Sequence, residues 1–174
     1  MEIFYYDEML SSYESDYQWD QALGYLEKLY AERKESKIIN ALVGFSWFYL
    51  IEGSIVSKKS ENDQNTMALS IWKKYIDLGT IESSKDPIFN FIAGYTLSLH
   101  GFYISEEYEK KGNQFVKTCL CLTKNTLLQQ LAENFLNNEY SNKYKPLKNG
   151  KEICEQFFNG ESLLDHYFNE IFNC

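Results

Sequence analysis

The segment Ile38–Ile51 (IINALVGFSWFYLI) runs for 14 residues with only Asn40 and Ser46 as polar interruptions, and Glu52 ends it. A strand takes about 5–6 residues and a membrane-crossing helix about 20. A segment between those lengths and apolar almost all round predicts a helix buried at the centre of a globular domain. A related segment lies 50 positions on: Ile38–Ser46 matches Ile88–Thr96, with Ile38/Ile88, Asn40/Asn90 and Gly44/Gly94 identical and an aromatic then a hydroxyl at the next two places. Each copy is followed by a polar stretch and a second helical pattern. This predicts stacked antiparallel helix pairs, a short solenoid-like arrangement or an irregular bundle, in which Gly44 and Gly94 admit a close neighbour. The offset is too wide for the usual tetratricopeptide repeat.

Two prolines and no alternating β-branched runs argue against a sandwich or barrel. The 174 residues suffice for a single all-α domain over 1–174, with 1–14 as a short helix or an arm. Apolar spacing and capping residues predict helices near 17–34, opened by a Ser15–Gln18 capping box, and 37–56, capped by Ser36. A loop at 57–65 precedes a helix capped by Asn62 or Asp63 and stopped by Gly79. Asp86-Pro87 is the clearest start, an N-cap acid before proline at the first helical position, for a helix to about 103. Shorter patterns follow: one from Ser105 to Gly112, then 113–123, 125–138, 150–158 and 161–172, with a loop at 138–150 and Gly160 between the last two.

The net charge of −8 is unevenly spread. Residues 1–20 hold six acids and no base, residues 151–174 five acids and one base, and the long middle 14 acids against 16 bases. Such a distribution bears on partners rather than on fold, and it excludes nucleic acid and an anionic membrane as expected partners. Arg33 is the only arginine, where phosphate and base recognition would favour several. The opening MEIFYYDEML lacks the basic start of a signal peptide, so the expectation is a cytoplasmic chain whose four cysteines stay reduced.

The residue types that carry chemistry are sparse. His100 and His166 are the only histidines. His100 reads as a packing or hydrogen-bonding side chain, and His166, beside Asp165, as a surface residue. Cys119 and Cys121 sit two apart, which on a helix points them in different directions, so they read as free thiols rather than metal ligands. No phosphate-binding glycine loop, zinc-protease motif or nucleophile elbow is present. The chain therefore reads as a non-enzyme without cofactor or metal. An acid–base pair of distant carboxylates would be the one enzymatic rival.

The informative constellation is Tyr5, Tyr6, Asp7, Glu8, Tyr13, Glu14, Asp16, Tyr17, Trp19 and Asp20. Aromatic anchors mixed with carboxylates suit a binding face for a basic protein: rings supply contact energy and acids steer the partner in. Glu161, Asp165 and Glu170 repeat the charge at the other end, and one acidic face results if both ends fold to one side. The bland alternative is that the rings are core and the acids a solvated rim.

Small size, acidic aromatic-rich composition, absence of a catalytic motif and the apolar helices Ala41–Gly53 and Phe89–Tyr95 together resemble the immunity proteins of bacterial contact-dependent growth inhibition and related polymorphic-toxin systems. The likeness is one of type, so no residue role carries over. It implies binding and neutralisation of a cognate toxin, a basic nuclease such as an RNase of the EndoU type, by occlusion of its active site. The alternative is a helical-repeat adaptor that holds a peptide or protein in a concave groove lined by Asn40, Asn90 and aromatics. Self-association of the free protein through an exposed aromatic patch is a further expectation.

Overall fold

The computed structural model describes residues 3–56, 61–138, 149–158 and 162–172. Among these are nine α-helices and no strand: α1 Glu8–Ser15, α2 Trp19–Arg33, α3 Ser36–Val56, α4 Glu61–Glu82, α5 Pro87–His100, α6 Glu106–Leu122, α7 Thr126–Asn138, α8 Gly150–Phe157 and α9 Leu163–Ile171. A 3-10 turn, Gly101–Tyr103, extends α5. The chain is all-α, and among the described residues no helix is long and apolar enough to cross a membrane.

The two apolar helices are the centre. α3 packs on α4 and α5 on α6, and α3 and α5 lie against each other; α2 covers α3, α7 covers α6, and α9 returns to α3. The repeat has a structural meaning. Asn40 and Asn90 are both buried, and each amide donates to a backbone carbonyl outside its own helix, Asn40 to the N-terminal arm and Asn90 to the turn before α5. Asn40 Nδ2 holds Ile3 O at 3.3 Å, while Asn90 Nδ2 holds Ser84 O at 3.0 Å and Asp86 O at 2.8 Å. Gly44 and Gly94 are where neighbours come closest. A Cβ on Gly94 would stand 2.8 Å from the Val116 backbone N and 2.9 Å from Gly112 O on α6; one on Gly44 would stand 2.6 Å from Leu164 and 2.9 Å from the Phe4 ring.

Asp86 caps α5 as its sequence predicts, accepting from Ile88 N at 2.9 Å with Pro87 behind it. Other expected boundaries move. Ser15 ends α1 rather than opening α2, its hydroxyl returning to Ser11 O, and the N-cap of α2 is Gln18 with no side-chain bond. Ser36 is the first residue of α3, and Asn62 and Asp63 lie inside α4. Gly79 does not stop α4, which continues to Glu82; instead it makes room for the Phe89 ring. Gly112 does not divide α6, because its missing side chain lets Ser98 of α5 approach. Most of the loop expected at 138–150, together with Gly160, Glu161 and Cys174, lies outside the described residues.

The core is aromatic. Phe168 of α9 stacks on Phe4 (6.1 Å between centroids), Phe158 (4.6 Å) and Phe172 (5.8 Å), and meets Tyr95 of α5 edge-on at 5.2 Å and Trp47 of α3 at 6.5 Å. Cys119 is buried and free and Cys121 exposed and free. Cys154 is disulfide-bonded, which corrects the expectation that all the thiols stay reduced.

Two predictions follow from this packing. Gly94→Ala forces α5 off the α6 backbone and should cost about 1–3 kcal/mol, whereas Gly24→Ala, with nothing within 4 Å of a new Cβ, should stabilise by about 0.5–1 kcal/mol; urea denaturation of both variants measures the contrast. Phe168→Ala should cost about 3–5 kcal/mol, seen as a lower urea midpoint.

Candidate functional site

The two acidic ends of the chain meet. The arm Ile3–Tyr6 runs past Lys37, whose carbonyl accepts from Tyr5 N at 3.1 Å, and delivers Phe4 to Phe168. α1 then lies beside the start of α9. Between them is a cavity of about 210 Å³ lined by Tyr6, Ser11, Glu14, Ser15, Tyr17, Leu163 and His166. Ser11, Glu14 and Ser15 share one stripe of α1 by their spacing of three and four, and Leu163 and His166 are related in the same way on α9.

Glu14 is the chemical centre of this junction. It is only 4 % exposed. Its Oε2 accepts from Tyr6 Oη at 2.6 Å and from Leu163 N, the first N–H of α9, at 3.4 Å. Its Oε1 is buried without a hydrogen-bond partner, and so are Tyr49 Oη and Trp19 Nε1, whose rings lie 4.1 Å apart. Burial pushes the Glu14 carboxyl up to about 7, against the lowering effect of Tyr6 and the Leu163 N–H. The buried Asp165 carboxylate raises it further. Burial, with Glu14 adding its charge, likewise holds the Tyr6 and Tyr49 hydroxyls well above their ordinary range.

The other predicted residues divide by burial. Trp19 and Asp165 are inside the monomer. Asp165 completes the capping box of α9, accepting from Ser162 N and Ser162 Oγ while its own N–H donates back to Ser162 Oγ. Asp7 caps α1 through Leu10 N at 3.0 Å and accepts from Tyr5 Oη and Tyr25 Oη, both at 2.7 Å. Burial alone would raise Asp7, but these donors hold it below the usual carboxylate range. Tyr13 is half-buried edge-on to Tyr25, Tyr5 is buried, and Asp20 is partly exposed. Glu8, Asp16 and Glu170 are exposed. Glu161 lies outside the described residues. Tyr17 is 57 % exposed and, though not a glycine, holds φ 54 in the left-handed region, a conformation that costs roughly 1–2 kcal/mol in a residue with a Cβ. The turn is held by Gln18 N donating to Tyr13 O at 2.8 Å.

The rival sites fare differently. Asn40 and Asn90 spend their amide N–H groups on backbone carbonyls inside the fold, and Asn90 also lines a cavity of about 270 Å³ together with Lys111 and Phe115. His100 accepts at Nδ1 from Trp47 Nε1 at 3.2 Å, with its ring stacked on Tyr103. Nδ1 is therefore the unprotonated nitrogen, and burial lowers the imidazole's proton affinity. Burial raises the Cys119 thiol to about 12. Among the described residues no group of three or more His, Cys, Asp or Glu could hold a metal ion. Ser11, Ser15, Leu163 and His166 are not among the residues the sequence marks for a partner, whereas Tyr6 is. The stripe Ser11–Glu14–Ser15 was readable on α1, but its meeting with α9 was not.

No family model matches the chain, and no curated protein or solved structure matches it.

The raised carboxyl of Glu14 has a pH signature. Its folded-state proton affinity exceeds that of the unfolded chain, so the stability linked to it is complete below the unfolded carboxyl range and is lost as pH rises through about 7. Across that window stability should fall by up to about 1.4 kcal/mol per pH unit. Glu14→Gln should flatten this slope. The depressed His100 gives the opposite slope, stability lost as pH falls, so the difference between wild type and Glu14→Gln in urea melts from pH 4 to pH 8 isolates the carboxyl.

Proposed function

We propose that the chain is a binding protein that covers a basic protein partner with the face formed by α1 and the start of α9. Within that class, the particular reading is an immunity protein that neutralises a cognate toxin domain by occluding a basic, phosphate-binding groove.

The observation that carries this reading is the convergence of the two acidic ends at one junction. Tyr17 and Leu163 edge a cavity there and are both exposed. Asp16 flanks Tyr17, Glu8 precedes Ser11 on the same stripe of α1, and Glu170 follows His166 by one turn of α9. Four Lys residues of the body are engaged locally: Lys73 with Asp77, Lys110 with Glu106 and Lys111 with Glu107 on their own helices, and Lys74 with Glu27 across α4 and α2. Exposed rings and aliphatics give grip, and unshielded carboxylates around them give long-range attraction. The acid–base alternative needs a second carboxylate in the cavity, and among the described residues Glu14 is the only acid lining it.

Neutralisation is tested by mixing the protein with the toxin domain encoded immediately upstream of it. Near-complete loss of nuclease activity at equimolar protein is expected; full activity sinks the proposal. In the same system Asp16→Lys should slow association about threefold or more and flatten its salt dependence.

A further inference from the structure

A carboxylate that is nearly fully buried, borders a cavity and leaves one oxygen unused costs free energy in the isolated protein. Nothing in the packing of α1 against α9 requires an ionisable group there: Tyr6 and Leu163 N serve Oε2 alone. The walls beside the carboxylate are two tyrosine rings, one of them kept exposed on a left-handed backbone where glycine would be cheaper. A metal ion is poorly served, because among the described residues Glu14 is the only carboxylate lining the cavity. An anion is opposed by Glu14 and by the buried Asp165 behind it. An apolar group would leave the buried charge uncompensated. A flat cation with several N–H donors answers each requirement, since it can neutralise the buried charge of the carboxylate lining the cavity and lie against aromatic faces.

We propose that the cavity between α1 and α9 is a receptor for the guanidinium group of an arginine on the bound partner, held by the Glu14 carboxylate and flanked by the rings of Tyr6 and Tyr17. This rests on the reading of this junction as the contact face and names the chemistry of its central contact. Leu163 and Tyr17 at the rim cover the aliphatic stem of the incoming side chain, and His166 closes the remaining edge. The ionised carboxylate is the competent form, so binding strengthens as pH rises. The titratable and charged groups facing Glu14 are Tyr6 from the arm, Tyr49 from α3, and Asp165 and His166 from α9. The tyrosines stay protonated throughout the working range and Asp165 is held by two donors in its own capping box, so the Glu14→Gln and His166→Gln variants separate the carboxyl from its neighbour.

The test needs no toxin, so its failure is distinguishable from failure of neutralisation. The whole chain, labelled with nitrogen-15, is titrated with ethylguanidinium, ethylammonium and the neutral isostere ethylurea while backbone amide shifts are followed. Ethylguanidinium should move the Ser15, Tyr17, Leu163 and His166 amides saturably, about tenfold more weakly at pH 6 than at pH 8. His166→Gln should keep that pH dependence and Glu14→Gln should lose binding by tenfold or more. Should Glu14→Gln not fold, Tyr17→Ala on the exposed rim serves instead, with weakening of about threefold or more expected. Equal binding of ethylurea, tighter binding of ethylammonium, retention of binding in Glu14→Gln, or unchanged binding in Tyr17→Ala each overturns the proposal.

Discussion

The contact on which the architecture depends is the burial of Phe168 among Phe4, Trp47, Tyr95, Phe158 and Phe172. These rings come from the N-terminal arm, from both central helices and from the C-terminal region. Ring pairs of this kind add about 0.5–1.5 kcal/mol each beyond the area they bury. α1 and α9 are short, and isolated helices of that length are marginal in water. They stand because tertiary contacts hold them: the arm delivers Phe4 into the cluster, and α9 delivers Phe168. Gly44 lies beneath the junction, where any larger residue would meet both Phe4 and Leu164.

Bringing two acidic ends together is electrostatically unfavourable, and the fold handles the carboxylates individually. Asp7 is satisfied by a helix N-terminus and two phenols, so its charge is held in place. Asp165 is satisfied within its own capping box. Glu14 is different. It is as buried as Asp165 but only half satisfied, and it responds by raising its proton affinity. A protein selected only to fold would gain by replacing it with an apolar residue of similar volume. Its placement at the wall of a cavity, beside an exposed tyrosine in a strained turn, supports the proposed contact face at this end of the molecule.

Local signals were legible where they involve residues adjacent in the chain. Asp86-Pro87 set the start of α5, because a side-chain acceptor and a missing N–H act within three residues. The 50-residue offset located the paired central helices and their glycines. Local signals failed where a competing contact, near or far in the chain, outweighed them. Ser15 and Ser36 had the chemistry of caps, but the turns were set by Tyr13 and Glu35 carbonyls. Gly79 and Gly112 resembled stops, yet each is a point of close approach to α5. Glu14 and Asp165 were marked for their charge, and both are buried. Four of the residues lining the cavity beside Glu14, Ser11, Ser15, Leu163 and His166, carry no mark in the sequence, because the cavity joins segments about 150 positions apart.

The order of the residues alone determined that this chain is helical, that Ile38–Ile51 and Ile88–Thr96 form its centre, and that its negative charge gathers at its two ends. These depend on spacing and composition, which act over one or two helical turns. Only the tertiary structure decided that the ends touch, which carboxylates are buried and which face solvent, and that one of them, Glu14 at the wall of a cavity, keeps an unused buried oxygen. Burial and hydrogen-bond satisfaction are properties of neighbours in space, and here those neighbours are brought together by an aromatic cluster whose members lie at opposite ends of the chain.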